Sequence, residues 1–580
     1  MSEKIAPPGK ITLHPWPSGY CSFIPSLALL LALLCFTASA VAAPVSVPQN
    51  RPSETPLELP AFEPEDEHKP LVLPALPEAP PEADLSRQGS VFIKQFRLTG
   101  NTVFTNAELD EIISPYENRK ITSGELQAVR YALTLFYVNH GYINSGAIIP
   151  DQELTDNIVT IEIIEGELSD IAISGDHRLK DSYISKRIEL GAGPPLNIVQ
   201  LGERLQILQQ NPRIEQLNAT LEPGAEPGES RLNVEVQEAQ PYQLWIAADN
   251  HQSPSVGGEE ARIWGFHQDL TGYGDTLSFE YDKADGLDEW TVNYAIPVNR
   301  YDTTLGVYYD SIDSEVVEDP FDELDIKSDE ETISLFLTQP FHLSVNETLT
   351  LGLSLDLREN KTYLLGQRFA FVPGTDNGKT KLSVIRFSQE MVNRGRNRVV
   401  AARSMFSTGI DAFDATVNGE DRDGKFVSWL GQFQWAERIG NSEAQVIFRA
   451  DGQLANHGLP PMEQFTVGGS DTVRGYRENR LVSDEGFVAS VEVRIPVYSH
   501  AASNTAIQLA PFLDFASVSN RTGLDPQKDH IGSMGLGVIG TAFKRFDFSL
   551  YYGHAFQDFD NPDNDIQDDG FSFSLSARLL

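Results

Sequence analysis

The chain has 580 residues, and its 44 lysines and arginines face 83 aspartates and glutamates, a formal net charge of −39. That balance argues against a protein that holds nucleic acid through phosphate contacts. The two cysteines, Cys21 and Cys35, both fall in the first 40 residues, which leaves no material for a disulfide framework, a zinc cluster or a thiol enzyme in the rest of the chain.

Lys4 and Lys10 precede an apolar run from Leu27 to Phe36, followed by Ala38-Ser39-Ala40. This order matches a secretory signal peptide with cleavage after Ala40. The apolar run is too short for a spanning helix, which needs about 20 residues. A mature chain without cysteine suits passage through an oxidising periplasm. Residues 41–90 are rich in Pro and Glu, with Pro80-Pro81 and no helical or strand period, so they are expected to form an extended, disordered linker.

Val91 to Leu98 has strand character and ends at Gly100-Asn101. Thr105 with Glu108, and Thr122 with Glu125, have the spacing of two helix capping boxes, and Leu126, Val129, Leu133 and Phe136 continue the second at helical spacing up to Gly141. Strands are expected at Ile143 to Ile149 and Ile158 to Ile164. The order then returns: a strand from Leu168 to Ser174, helices from Leu179 to Leu190 and Ile198 to Leu208, and strands from Ile214 to Leu221 and Arg231 to Gln237. Two consecutive β-α-α-β-β units, 91–166 and 167–240, resemble POTRA domains, and Asn144-Ser145-Gly146-Ala147 with Pro150-Asp151-Gln152 carry the same resemblance. Order alone leaves two unrelated α+β domains open as an alternative.

From Tyr242 the helical period gives way to alternation. Leu349, Leu351, Leu353, Leu355 and Leu357 interleave with Thr350, Gly352, Ser354 and Asp356, so one face is leucine and the other polar or small. A soluble sandwich also alternates. Sixteen segments, starting near 242, 259, 276, 289, 303, 332, 347, 379, 396, 426, 444, 487, 506, 530, 546 and 571, are enough for a closed, even-numbered antiparallel transmembrane barrel over 241–580. Acidic runs at Glu315 to Glu331, Asp411 to Asp423 and Asp558 to Asp569 are expected in solvated loops, and none has the spacing of an EF-hand metal site.

The longest unpatterned gap of the second half, about 456–486, contains Gln464-Phe465-Thr466-Val467-Gly468-Gly469 and then Val473-Arg474-Gly475-Tyr476. A later strand carries Phe512-Leu513-Asp514-Phe515-Ala516. Gly475 permits a sharp tip, and Arg474 offers five donors on a rigid fork that requires an anionic partner inside a barrel. Motif, order and strand number together resemble the outer-membrane transporters of two-partner secretion, the TpsB family, over residues 91 to 580.

The resemblance implies an outer-membrane pore in a Gram-negative bacterium, with POTRA domains in the periplasm. It would export a large β-helical exoprotein of haemolysin, haemagglutinin or adhesin type that carries an N-terminal secretion domain. It implies further that the sixth loop folds into the lumen, with Arg474 locked on Asp514, where Ala516 replaces the family's glycine. Either a gate or a static buttress fits that lock. The last strand, Phe571 to Leu580, resembles the one read by barrel-assembly machinery. The prolines of 41–90 argue against a long plug helix, which leaves the sixth loop as the expected closure. Strand addition to the edges Ile143 to Ile149 and Ile214 to Leu221 is the expected mode of partner binding. No nucleophile elbow, P-loop or metalloprotease motif is present, so no enzyme activity, cofactor or metal is expected. A barrel-insertion factor related to BamA or TamA and a simple diffusion porin are the rival readings.

Overall fold

A computed structural model describes residues 51–54, 57–62, 71–72 and 90–580, apart from 373–374, 420, 441, 524–525, 527 and 562. The expected signal peptide and its cleavage site lie outside the described residues.

β1 (Leu71–Val72) precedes the first α+β unit, whose strands are β2 (Ser90–Ile93), β3 (Gln95–Thr99), β4 (Arg119–Thr122), β5 (Gly146–Ile148) and β6 (Ile158–Ile164). β6 is central, with β3 parallel on one side and β5 antiparallel on the other. Two helices, Asn106–Ile113 and Ser123–Asn139, cover this sheet. Both start at complete capping boxes: the Thr122 hydroxyl accepts the Glu125 N–H at 3.2 Å, and the Glu125 carboxylate accepts the Thr122 N–H at 2.7 Å. Leu109, Val129, Leu133, Tyr137 and Ile161 form the buried core.

The strand expected from Ile143 shortens to Gly146–Ile148 because the residues before it form a connection instead. Asn144 donates to the Glu167 and Gly228 carbonyls, at 3.2 and 3.0 Å, and so fastens the first unit to the second. Gln152 exchanges two hydrogen bonds with the Thr160 backbone, at 2.8 and 2.7 Å, where β5 no longer covers β6.

The second unit comprises β7 (Glu167–Asp176), helices Asp181–Ile188 and Ile198–Gln209, β8 (Ile214–Pro223) and β9 (Glu229–Glu238). Its sheet runs β1-β8-β9-β7, with β1 parallel to β8 and paired to it at Ala219 and Thr220. Leu201 and Leu205 from the second helix close over Leu217, Leu232 and Val234. This unit sits on two turns of the barrel: the Lys180 N–H donates to the Gly272 carbonyl at 2.9 Å, and Arg187 Nε donates to Asp302 at 2.9 Å.

The barrel runs through β10 (Tyr242–Asp249), β11 (Glu260–Gln268), β12 (Thr276–Ala284), β13 (Leu287–Pro297), β14 (Thr304–Glu315), β15 (Lys327–Leu343), β16 (Glu347–Leu364) and the two-residue β17 (Gln367–Arg368). It continues through β18 (Lys379–Arg394), β19 (Arg398–Gly409), β20 (Val427–Arg438) and β21 (Gln445–Ala455). β22 (Phe465–Val467) and β23 (Leu481–Ser483) form a hairpin of their own, and β24 (Glu485–His500), β25 (Thr505–Ser519), β26 (His530–Ala542), β27 (Phe546–Ala555) and β28 (Phe571–Arg578) complete the ring. β28 pairs with β10 and closes it. Setting aside β17, which only extends a hairpin on β16, sixteen antiparallel strands form the wall among the described residues.

The expected starts match this ladder closely. The largest offset is at β15, which begins at Lys327 where alternation predicts 332, because its first five residues are Lys, Ser, Asp, Glu and Glu and show no apolar period. Alternation determines the facing: Ile333, Leu335, Leu337 and Leu353 point outward and are exposed, whereas Thr348, Asp356 and Arg358 point inward and are buried. The three acidic runs lie in or beside connections at one end of the barrel, opposite the end that meets the α+β units.

Candidate functional site in the barrel lumen

The segment between β21 and β24, the sixth connection at the acidic end, folds back into the barrel. Its hairpin β22–β23 buries Phe465, Val467 and Leu481 with Val473 and Tyr476 against Val488, Ala516, Val518 and Ile531 of the wall. An apolar cluster thus gives the loop a seat, and the Ala516 methyl fits within it.

Polar groups fix the tip. Arg474 donates from Nε and Nη2 to the two oxygens of Asp514, each at 2.9 Å, and its backbone N–H donates to the same carboxylate at 3.0 Å. Nη1 pairs with Glu492 of β24, and Nη2 also reaches Ser490 at 3.1 Å. The guanidinium lies 3.7 Å from the centroid of the Phe512 ring, a cation–π contact that places the phenylalanine directly under the charge. Asp514 is 1 % exposed and Arg474 8 %, so a bare charge at either position would be expensive.

Gly475 has φ +89°, and a Cβ there would stand 2.6 Å from the Gly553 carbonyl, so the tip rests backbone to backbone on β27. Tyr476 donates to the Gly532 carbonyl at 2.9 Å and accepts the Gln557 N–H at 3.1 Å. Gly468 and Gly469 have φ of +107° and +104°, and a Cβ on Gly469 would overlap the Glu478 carboxylate, which accepts the Ser470 N–H at 2.6 Å.

Two further anchors flank the tip. Arg477 pairs with Glu318 in the connection after β14 and, through Nε and Nη2, with Asp568 in the connection before β28. Two acidic runs therefore supply counterions to this loop. Before the hairpin, Leu459 N–H and the Gln464 side chain donate to Asp484, at 3.0 and 2.9 Å, and Glu463 meets Arg358 and Arg386 of the wall.

The loop does not fill the lumen alone, which corrects the expected closure. Arg51 Nε donates to the Pro461 carbonyl at 3.0 Å, Gln434 of β20 donates to the Leu57 carbonyl at 2.5 Å, and Leu57 packs with Val392 and Ala401. Residues 51–54 and Leu57 of the Pro-rich segment, none of them helical, thus lie beside the loop inside the barrel.

Val473, Arg474, Gly475, Tyr476, Phe512, Asp514, Gly468 and Gly469 come together in one place. The residues at the expected strand-addition edges do not join them. Ile214 and Leu221 face the core of the second unit, Ile143 packs against that same core, and Ile149 packs against the first. The β8 edge already carries Leu71 and Val72 at Ala219 and Thr220. Glu492, Gly553 and Glu463 belong to the site but carry no local motif. Alternation with Ser490 could have placed Glu492 on the inner face; nothing in the sequence signals Gly553.

Comparison with known proteins fits this geometry. The family model for haemolysin secretion/activation proteins ShlB/FhaC/HecB matches residues 228–540, and that for the ShlB-type POTRA domain matches residues 91–166. The outer membrane transporter CdiB of Dickeya dadantii (strain 3937) is 21 % identical over 70 % of this chain and 73 % of its own length. The heme/hemopexin transporter protein HuxB of Haemophilus influenzae (strain ATCC 51907 / DSM 11121 / KW20 / Rd) is 20 % identical over 72 % and 74 %. The solved structure of CdiB from Escherichia coli superposes with a TM-score of 0.64 at 18 % identity, covering 86 % of this chain and 93 % of that one. A sixteen-stranded barrel with a loop locked in its lumen, ShlB-type POTRA architecture before it and a family match over more than half its length place this chain in the haemolysin secretion/activation protein family, the outer-membrane transporters of two-partner secretion.

Proposed function

We propose that this transporter exports one large β-helical exoprotein, of haemolysin, haemagglutinin or adhesin type with an N-terminal secretion domain, and performs no catalysis of its own. The observation that carries the reading is the two-pronged Arg474–Asp514 pair at 2.9 Å, which seats a long loop across the path a polypeptide would take. A pore that must pass an unfolded chain needs a removable stopper, and charge-assisted contacts in a wet lumen can be exchanged for water more readily than a packed apolar core. Arg474, Gly475, Tyr476 and Asp514 act as the lock, Phe512 supports the arginine, and Gly468 and Gly469 shape the approach to the tip. The α+β pair receives the partner in the periplasm. Ile143 to Ile149 and Ile214 to Leu221 contribute backbone edges, the side chains of Ile143, Ile149, Ile214 and Leu221 being committed to the cores, and access along β8 requires β1 to leave. Outer-membrane lipid surrounds the apolar outer band, and the terminal strand Phe571–Arg578 is the segment that barrel-assembly machinery would engage during biogenesis.

Deletion of the gene, followed by quantitative proteomics of the surface, medium and outer membrane, tests this. One large protein should disappear from the surface and medium and return on complementation. A broad loss of barrel proteins would instead identify an insertion factor, and an unchanged protein profile with lost solute uptake would identify a porin.

A further inference from the structure

Arg474 presents a cation on the loop to carboxylates on the wall. Across the lumen the polarity is reversed. Glu463, in the limb Pro460 to Gln464 that leads into the hairpin, is 1 % exposed and accepts three N–H bonds from wall arginines: from Arg386 at 2.8 and 2.7 Å, one on each oxygen, and from Arg358 at 2.9 Å. Arg358 also donates to the Met462 carbonyl at 2.9 Å, so the wall holds both the side chain and the backbone of this limb. The two arginines are themselves fixed, Arg386 by Asp356 and Ser407 and Arg358 by Glu330. With Glu463 in place, the two arginines of neighbouring strands meet three carboxylates, Glu330 and Asp356 from the wall and Glu463 from the loop; without it, two buried guanidinium groups lie side by side with one anion fewer between them.

The same limb holds two residues of the Pro-rich segment. Arg51 donates to the Pro461 carbonyl at 3.0 Å, Ser53 lies 3.5 Å from the Gln464 carbonyl, and the two residues flank Glu463. We propose that Glu463 is a second latch, which fastens the base of the sixth loop to Arg358 and Arg386 and through that limb positions Arg51 and Ser53 in the lumen, so that opening the pore requires release at Glu463 as well as at Arg474. The inference rests on the reading that the sixth loop closes the resting pore. Glu463 acts here as a positioning residue: it touches no cargo, and its effect passes through the limb it holds.

Glu463→Gln keeps the size of the side chain and removes its charge. In the full-length, heat-modifiable protein reconstituted in planar bilayers, this variant should raise resting conductance at least roughly tenfold, since a charge-assisted bond is replaced by a neutral one at a buried site. A general packing defect would not produce two further results. Glu463→Gln combined with Arg386→Gln should leak no more than either single variant, because both break one contact. Thiol labelling of a chain carrying Ser53→Cys, measured above the unmodified background, should rise several-fold when Glu463→Gln is added, as the buried Ser53 position becomes accessible. Arg474→Ala serves as the reference. Conductance and labelling that stay at the wild-type level in Glu463→Gln, while Arg474→Ala leaks, would overturn the second latch and leave the loop as the stopper. Wild-type conductance in both variants would overturn the latch together with the stopper reading. Additive leaks in the double variant would show that Glu463 and Arg386 act separately, which also rejects the proposal.

Discussion

The POTRA-like units and the barrel are built inside out with respect to one another. In the second α+β unit Leu201, Leu205, Leu217, Leu232 and Val234 face inward and are fully buried, and Val199 is the one large apolar residue exposed on it among the described residues. In the barrel the leucines of β15 and β16 face outward, and the buried side chains of the same strands are, apart from Phe336, the polar Thr332, Ser334, Thr348, Asp356 and Arg358. The α+β units are held by an apolar interior that excludes water. The barrel is held by ladder bonds in a lipid setting, with an interior organised by ion pairs around one apolar seat for the loop. Stability and function are accordingly separable: the POTRA cores determine whether a domain folds, and the lumen pairs determine where a loop rests.

Arg474 offers the sharpest way to break that comparison. Arg474→Ala leaves Asp514 and Glu492 buried beside an empty seat, a loss of about 3–5 kcal/mol if the site is fully dry and less in a wet lumen. Secretion should fall by most of its wild-type level while the heat-modifiable barrel still assembles. Asp514→Ala should do the same, non-additively, and Arg474→Met should fail too, although an apolar residue of similar length would serve in a POTRA core. Normal secretion by Arg474→Met would mean that the lumen packs like the α+β units.

Leu205→Ala is the matching change in the other half. It should cost about 2–5 kcal/mol of POTRA stability by leaving a cavity, visible as early proteolysis of the periplasmic region, with the barrel's heat modifiability unaffected. A simultaneous loss of barrel stability would mean that the two regions fold as one unit.

Arg477→Ala should have a smaller effect, about 1 kcal/mol, because its buried partners Glu318 and Asp568 stand on connections at the acidic end of the barrel rather than on the wall, so the carboxylates freed by the substitution can turn to water and be screened by salt. Resting conductance of this variant should differ from wild type at low salt and converge with it at high salt. A difference that persists at high salt would place the Arg477 cluster with the buried locks. Smallest of all, Leu353→Ala on the lipid-facing side should shift the barrel's heat-modification midpoint by an amount equivalent to about 0.5 kcal/mol, since no enclosed cavity forms.

Much of this architecture was legible in the chain because it rests on local periodicity. The capping boxes at Thr105 and Thr122 specify helix starts through residues three apart, and both helices begin there. Alternation places the leucines of β16 and predicts all sixteen strands, failing only where polar residues extend β15 past the apolar band. The Gly-flanked Val473-Arg474-Gly475-Tyr476 segment shows itself because a sharp tip and an arginine leave a local mark, and Asp514 stands in a recognisable strand motif.

Contacts between distant parts of the chain were decided only by the tertiary structure. Glu492 joins Arg474 because strand register places two neighbouring strands under the same guanidinium. Glu463 meets Arg358 and Arg386 across 105 and 77 residues of chain, and Gly553 seats the tip only because β27 passes behind it. The Pro-rich segment had no period to read, and the place of Arg51 and Leu57 beside the loop follows from a loop carbonyl and a wall side chain that the closed barrel brings to them. A period-2 or period-3.6 pattern specifies which way a side chain faces, since that direction depends on the residue's own backbone. Which charge it finds there depends on ring closure, and one sequence carries no local record of that.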